Sequence, residues 1–160
     1  MNLALSHRLL SPDPLSPADA HALRAAADAV RSAMRAGDAQ RLLKDKNIAL
    51  LCKDPAGQQA QAVVAAASAL GARVTPLQPD AALESGAPSA GPLARMLGLL
   101  YDAVACEELP PPVAERLARL LQVPVYDGLG RPDHPLKPLL PSPPETPGEL
   151  IQALLVHTMA

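Results

Sequence analysis

The stretch NIALLCKDPAGQQAQAVVAAASALGARVTPL, residues 47–77, decides the fold. Its first part, Ile48 to Cys52, is a short apolar run without polar interruption, as expected of a strand buried on both faces of a parallel sheet. Lys53-Asp54-Pro55-Ala56-Gly57 supplies the turn. From Gln58 to Leu70 the apolar residues return at helical spacing, with Ala60, Val63, Val64, Ala67 and Leu70 on one face. Gly71 closes that helix, and Arg73 to Leu77 is a second short strand. The turn between strand and helix lies at a helix N-terminus, where backbone N–H groups and the helix dipole favour an anion.

Working outward, residues 1–15 read as an extended lead-in, with Pro12 and Pro14 blocking regular structure. Ser16 is a helix N-cap, followed by Pro17 at the first helical position and by Asp19 near the positive end of the dipole. Leu23, Ala27, Val30 and Met34 give that helix its apolar face and Gly37 ends it, leaving Arg24, Asp28, Arg31 and Arg35 on a solvated face. Residues 78–91 read as one long loop. Pro92 opens a short helix with Leu93, Met96, Leu97 and Leu100 inward. Tyr101 to Cys106 is a third strand. A helix from Pro110–Pro112 with Val113, Leu117, Leu120 and Leu121 inward leads to a fourth strand, Val123 to Tyr126. Pro124 suits an edge strand or a strand start. Residues 127–145 are Pro-rich, with a short helical turn near His134 to Leu140. A last helix spans 146–158, opened by a capping box at Thr146-Pro147-Gly148-Glu149 and carrying Leu150, Ile151, Leu154 and Leu155 inward. This alternation predicts an α/β fold: a doubly wound parallel sheet of about four strands with helices on both faces.

The chain's 160 residues suit one domain, and an apolar fraction of 49% is enough to build its core. A net charge of −2 leaves no electrostatic footprint for nucleic acid, and two aromatics, Tyr101 and Tyr126, make no stacking platform. No apolar run reaches the length needed to span a membrane. The N-terminus lacks the pattern of a signal peptide, and two cysteines are too few for a disulfide framework, so the expected location is cytoplasmic.

Several stretches together resemble the N-terminal, carbamoyl-phosphate-binding domain of the aspartate and ornithine carbamoyltransferases, more the ornithine type. His7-Arg8-Leu9-Leu10-Ser11 through Leu15-Ser16-Pro17 is similar to the family's opening. Leu43-Lys44-Asp45-Lys46 resembles a Leu-Lys-Gly-Lys element before the first strand. Leu93-Ala94-Arg95-Met96-Leu97-Gly98 and Tyr101-Asp102 resemble Thr-Ala-Arg-Val-Leu-Gly and Tyr-Asp. Val123-Pro124-Val125-Tyr126-Asp127-Gly128-Leu129 and His134-Pro135 resemble Val-Pro-Val-Tyr-Asn-Gly-Leu and His-Pro.

The resemblance implies a ligand site, and this sequence departs from it there. The family's first strand–helix turn carries Ser-Thr-Arg-Thr-Arg around the phosphate; the matching positions are Ala56, Gly57, Gln58, Gln59 and Ala60. The family's Arg after the third strand falls at or beside Glu107, reversing the charge. His-Pro-x-Gln becomes His134-Pro135-Leu136-Lys137. The loop that in aspartate enzymes lends a Ser and a Lys to a neighbouring subunit here has Ser85 and Ser89 but no Lys. Each charge-assisted hydrogen bond to phosphate is worth about 1.5–3 kcal/mol. Losing two arginines and gaining Glu107 therefore weakens anion binding by orders of magnitude. Lys53 and Lys137 restore some positive charge, and Asp54 opposes it. The family's second, amino-acid-binding domain is expected to be absent from a single domain of this length.

The resulting expectation is a non-catalytic carbamoyltransferase-like domain, without cofactor or metal, that acts by assembly. By the resemblance it forms a homo-oligomer, a trimer, or joins a full-length carbamoyltransferase. One alternative is a weak binder of a small anion such as phosphate, using Lys53, Gly57, His134 and Lys137. Another is an enzyme with altered chemistry on Cys52 and His134. Cys52, Cys106 and His134 all fall near strand ends, where a metal site or thiol–imidazole pair is conceivable, but the spacing carries no metal motif and buried structural cysteines are the simpler reading. The acid pair Glu107-Glu108 reads as solvated loop, and His7, His21 and His157 as surface residues.

Overall fold

The computed structural model describes residues 16–87, 90–140 and 148–160. The expected lead-in over 1–15, Ser89, and the Thr146-Pro147 half of the expected capping box lie outside the described residues. Helix α1, Pro17–Ala36, starts as its sequence dictates: the Ser16 hydroxyl accepts the Asp19 N–H at 3.1 Å. It ends at Gly37, where φ is 76° and the N–H groups of Gly37 and Asp38 bond the carbonyls of Met34 and Ala33. Strand β1, Asn47–Leu51, helix α2, Gln58–Ala69, and strand β2, Arg73–Leu77, follow.

The segment expected to be one loop holds helix α3, Ala81–Ser85, because the Asp80 carboxylate accepts the Leu83 N–H at 2.8 Å and Gly86, at φ 74°, closes the turn. Helix α4 then spans Ala90–Leu100, starting before Pro92. Strand β3 is Ala103–Cys106, helix α5 is Pro111–Leu120 and strand β4 is Val125–Asp127. A 3-10 turn at Lys137–Leu139 lies where a short helical turn was expected. Helix α6, Glu149–Met159, begins later than the capping box predicted: Gly148, at φ 79°, precedes it without a side-chain cap.

The strands form one parallel sheet in the order β2-β1-β3-β4. Period-2 alternation divides the sheet's side chains between two cores. Ile48, Leu50, Ala103, Ala105 and Tyr126 face α1, α2 and α6, while Ala49, Leu51, Val104, Cys106 and Val125 face α3, α4 and α5. The sheet is thus covered on both sides, as expected of a doubly wound fold. Pro124 sits just before β4, an edge strand, and its carbonyl accepts the Val104 N–H. Pro76 lies in β2, at the other edge, paired with Leu50. At the amino edge Asp102 and Asn47 bracket the β1–β3 register: the Asn47 N–H bonds the Asp102 carboxylate and the Asp102 N–H bonds the Asn47 carbonyl, both at 2.8 Å. Asp102 therefore precedes β3 instead of lying in it.

Four expectations about faces are corrected, the first being Leu120 of α5, which is exposed while Ala114 and Ala118 join Val113 and Leu117 inside. The inward residues of α4 are Ala90, Ala94 and Leu97, while Met96 and Leu100 are exposed and Leu99 is 86% exposed. The small side chains set the helix close to its neighbours: a Cβ on Gly98 would stand 3.1 Å from a Leu121 methyl. Arg31 is not simply solvated, since its guanidinium forks onto the Glu149 carboxylate and ties α1 to α6. Helix α6 is buried on nearly every face, including Gln152 and Thr158. Gln152 donates to the Ala66 carbonyl, and Thr158 shares a hydrogen bond with the Tyr126 hydroxyl beneath the sheet. His157 is half-buried beside α1, not on the surface.

Candidate functional site

Parallel α/β sheets place ligands at the carboxyl ends of their strands, near the point where strand order reverses. Here that point lies between β1 and β3, and the segments after β1, β3 and β4 are the turn at 53–57, Glu107-Glu108 and the loop 128–134. The turn is built by Asp54: its carboxylate accepts the Ala56 N–H at 3.0 Å and its carbonyl accepts the Gly57 N–H at 3.1 Å. Gly57 is the N-cap of α2, with φ −62° and no capping side chain. The helix thus opens with its first N–H groups directed into the edge, the arrangement that holds anions elsewhere.

The side chains around that opening are acidic. A Cβ on Gly57 would lie 3.4 Å from Glu108 Oε2 and 3.8 Å from Asp54 Oδ2. Glu107 is 0% exposed, not part of a solvated loop, because it lies under the 128–131 loop. Its Oε1 accepts the Gly130 N–H at 3.0 Å, and its Oε2 has no hydrogen-bond partner among the described residues. Burial pushes its carboxyl up to about 7, against the backbone bond from Gly130 and with help from the Asp127 charge. Burial likewise raises Asp127 at the end of β4.

The cations assigned to the site are engaged elsewhere. Lys53 pairs with Glu84 of α3 at 3.2 Å. Lys137 donates to the Pro132 carbonyl, and Arg131 forks onto Asp133. His134 is buried, and its Nδ1 accepts the Leu136 N–H at 3.2 Å. Burial, with the nearby Arg131 charge, holds it down at about 4, so it is a neutral turn residue at neutral pH. Gln58 and Gln59 sit in the first turn of α2.

Cys52 and Cys106 are both free and buried, and they project into opposite cores, Cys52 toward α1, α2 and α6 and Cys106 toward α3, α4 and α5. Burial raises both thiols, and the charges of Asp54, Glu107 and Glu108 raise Cys52 further, the reverse of what a nucleophile needs. No group of three or more His, Cys, Asp or Glu is placed to hold a metal among the described residues. No described helix is long and apolar enough to cross a membrane.

The sequence pattern pointed to Lys53, Ala56, Gly57, Gln58, Gln59, Glu107, His134 and Lys137. It did not point to Glu84, Arg116 or Gly130. Arg116 donates to the carbonyls of Leu83 and Glu84 and so anchors α3, which carries the partner of Lys53. The Asp80 cap followed by Leu83 and Gly86 is the signal that could have revealed α3.

A parallel sheet covered on both sides, with a helix N-terminus opening at its strand-order reversal, defines a doubly wound α/β domain. The pattern of the aspartate/ornithine carbamoyltransferase carbamoyl-P binding domain matches residues 7–141, and the chain belongs to that family. It is 36% identical over 110 residues to the catabolic ornithine carbamoyltransferase 1 of Staphylococcus epidermidis, covering 69% of this chain and 33% of that protein. It is 34% identical over 110 residues to an ornithine carbamoyltransferase of Actinobacillus pleuropneumoniae, with the same coverage of 69% and 33%. The chain thus spans about a third of the length of these curated relatives. Among solved structures, the ornithine carbamoyltransferase of Pyrococcus furiosus superposes with a TM-score of 0.60 at 21% identity, over 79% of this chain and 38% of that one. The aspartate transcarbamoylase of Trypanosoma cruzi in complex with phosphate gives 0.58 at 23% identity, over 78% and 40%. These two likenesses establish the fold.

Proposed function

We propose that this chain is a carbamoyltransferase N-domain that has given up binding of carbamoyl phosphate and acts by assembly, with copies of itself or with a full-length carbamoyltransferase. The observation that carries this reading is the charge at the opening of α2. Asp54 and Glu108 stand at Gly57, where the family places hydroxyls and a guanidinium, and Lys53 is drawn aside to Glu84. A dianion entering there meets like charge at a few ångströms, which opposes the modest attraction of the helix dipole. The domain contributes no side chains for chemistry under this reading, and the apolar strip Met96, Leu99 and Leu100 on α4 suits a protein that works in contact with others.

Titration calorimetry with carbamoyl phosphate and with inorganic phosphate tests the loss of binding, and light scattering tests assembly. The reading expects no heat from either ligand at millimolar concentration and a mass above that of a monomer, alone or mixed with an ornithine carbamoyltransferase. Carbamoyl transfer to ornithine by the purified chain, or submillimolar capture of carbamoyl phosphate, overturns it. The retained N-terminus of α2 favours one second reading, a weak phosphate binder, which the same titration distinguishes by a saturable millimolar isotherm.

A further inference from the structure

Glu107 is a fully buried acid with one carboxyl oxygen unpartnered among the described residues. The other oxygen holds the Gly130 N–H at 3.0 Å. Gly130 packs so closely on the first turn of α2 that a Cβ there would collide with the Gln59 carbonyl. Glu107 therefore sits under a three-part junction of strand end, loop and helix start. The titratable groups that act on it are Cys52 after β1, Cys106 and Glu108 on its own segment, Asp127 at the end of β4 and Arg131 in the loop. The first turn of α2 adds Gln58, Gln59 and Gln61, none of which titrates. Arg131, the one cation in that set, is exposed and directed to Asp133. A neutral carboxyl fits this seat. A carboxylate there is a buried charge beside other acids, and its burial outweighs the support it takes from the N–H groups of Gly130 and Leu129.

We propose that Glu107 is a proton-operated latch: neutral, it seats the 128–131 loop against the first turn of α2, and ionised, it leaves that seat and frees the loop. The only covalent event is loss of the carboxyl O–H proton to solvent. Releasing the loop removes Gly130 from the Gln59 backbone and uncovers the start of α2, so access to this edge of the sheet depends on pH. The latch does not rest on the assembly proposed above.

Amide hydrogen exchange of residues 128–131, read between about pH 6 and about pH 8 and corrected for intrinsic exchange, tests it on the whole chain. The wild-type loop is expected to lose protection by about tenfold or more across that range, while Glu107→Gln keeps its protection constant. A flat wild-type profile, or the same loss in Glu107→Gln, overturns the latch. Infrared titration of the unaltered protein supplies a readout that does not need the variant to fold. A protonated-carboxyl stretch that disappears over the same interval is expected, and its absence overturns the proposal.

Discussion

Glu108 Oε2 lies 3.4 Å from the point that a Cβ on Gly57 would occupy, so a carboxylate stands over the N-cap of α2. Glu108 holds this position with φ 55°, a left-handed conformation that residues other than glycine rarely adopt. Removing its charge should improve the site for an anion. Glu108→Gln is expected to strengthen phosphate binding by about tenfold, or about 1.4 kcal/mol, over the unaltered chain. Phosphorus NMR line broadening at a series of phosphate concentrations checks it, and equal broadening in both proteins would count against the electrostatic account.

The Arg31–Glu149 fork joins the first helix to the last, with 15% of the Arg31 side chain and 1% of the Glu149 side chain exposed. Truncating one member removes a two-bond charged contact from a largely dry setting. Glu149→Ala is expected to cost about 3 kcal/mol in urea unfolding. The double change Arg31→Met with Glu149→Leu should recover most of that loss, because apolar groups of similar volume need no countercharge.

Two buried groups pull the pH dependence of stability in opposite directions. Glu107 titrates near 7 in the folded chain against an ordinary value of 4.5, so the folded state binds the extra proton between those values. Its contribution is complete below about 4.5 and is lost as pH rises through about 7. His134 titrates near 4 against an ordinary 6.5, so the unfolded state binds the extra proton there. Its contribution is present above about 6.5 and is lost as pH falls toward about 4. The wild type should therefore change little between about pH 4.5 and 6.5. Glu107→Gln should expose a rise in stability with pH over that interval, and His134→Asn a fall continuing to about pH 7, each approaching about 3 kcal/mol. Urea midpoints measured across pH for the three proteins check the signs.

Asp45 sits at φ 64° between Lys44 and Lys46, where the family resemblance has Gly. A residue with a Cβ is strained there, although aspartate tolerates it better than most. Asp45→Gly should raise stability by about 0.5–1 kcal/mol in thermal or urea unfolding.

The sheet was legible in the sequence because its strands are short apolar runs set off by turn residues, and β2 runs over Arg73–Leu77 as read. The helix α1 was legible because both ends carry their signals, Ser16 and Gly37. The faces were harder. In α4 Leu93, Met96, Leu97 and Leu100 were expected inside, but Ala90 and Ala94 pack beside Leu97 while Met96 and Leu100 do not, since close helix approach selects small residues. The depth of Glu107 was hidden as well. Adjacent acids read as solvent-exposed, and it is backbone N–H groups of a loop some 23 residues away, Gly130 foremost, that make the burial tolerable. The resemblance drew notice to Glu107 and His134, but it could not tell that both are buried or which cations are committed to other partners.

Pro76 has a further consequence. The Arg73 N–H bonds the Lys46 carbonyl, so along β2 alternate amides turn toward β1 and the amide position of Pro76 turns outward, where proline has no hydrogen to offer. The open flank of the sheet is therefore blunted against continuation by a strand from another molecule. A second copy meeting the β2 flank therefore finds a gap in the ladder, which disfavours a runaway stack of sheets through that strand.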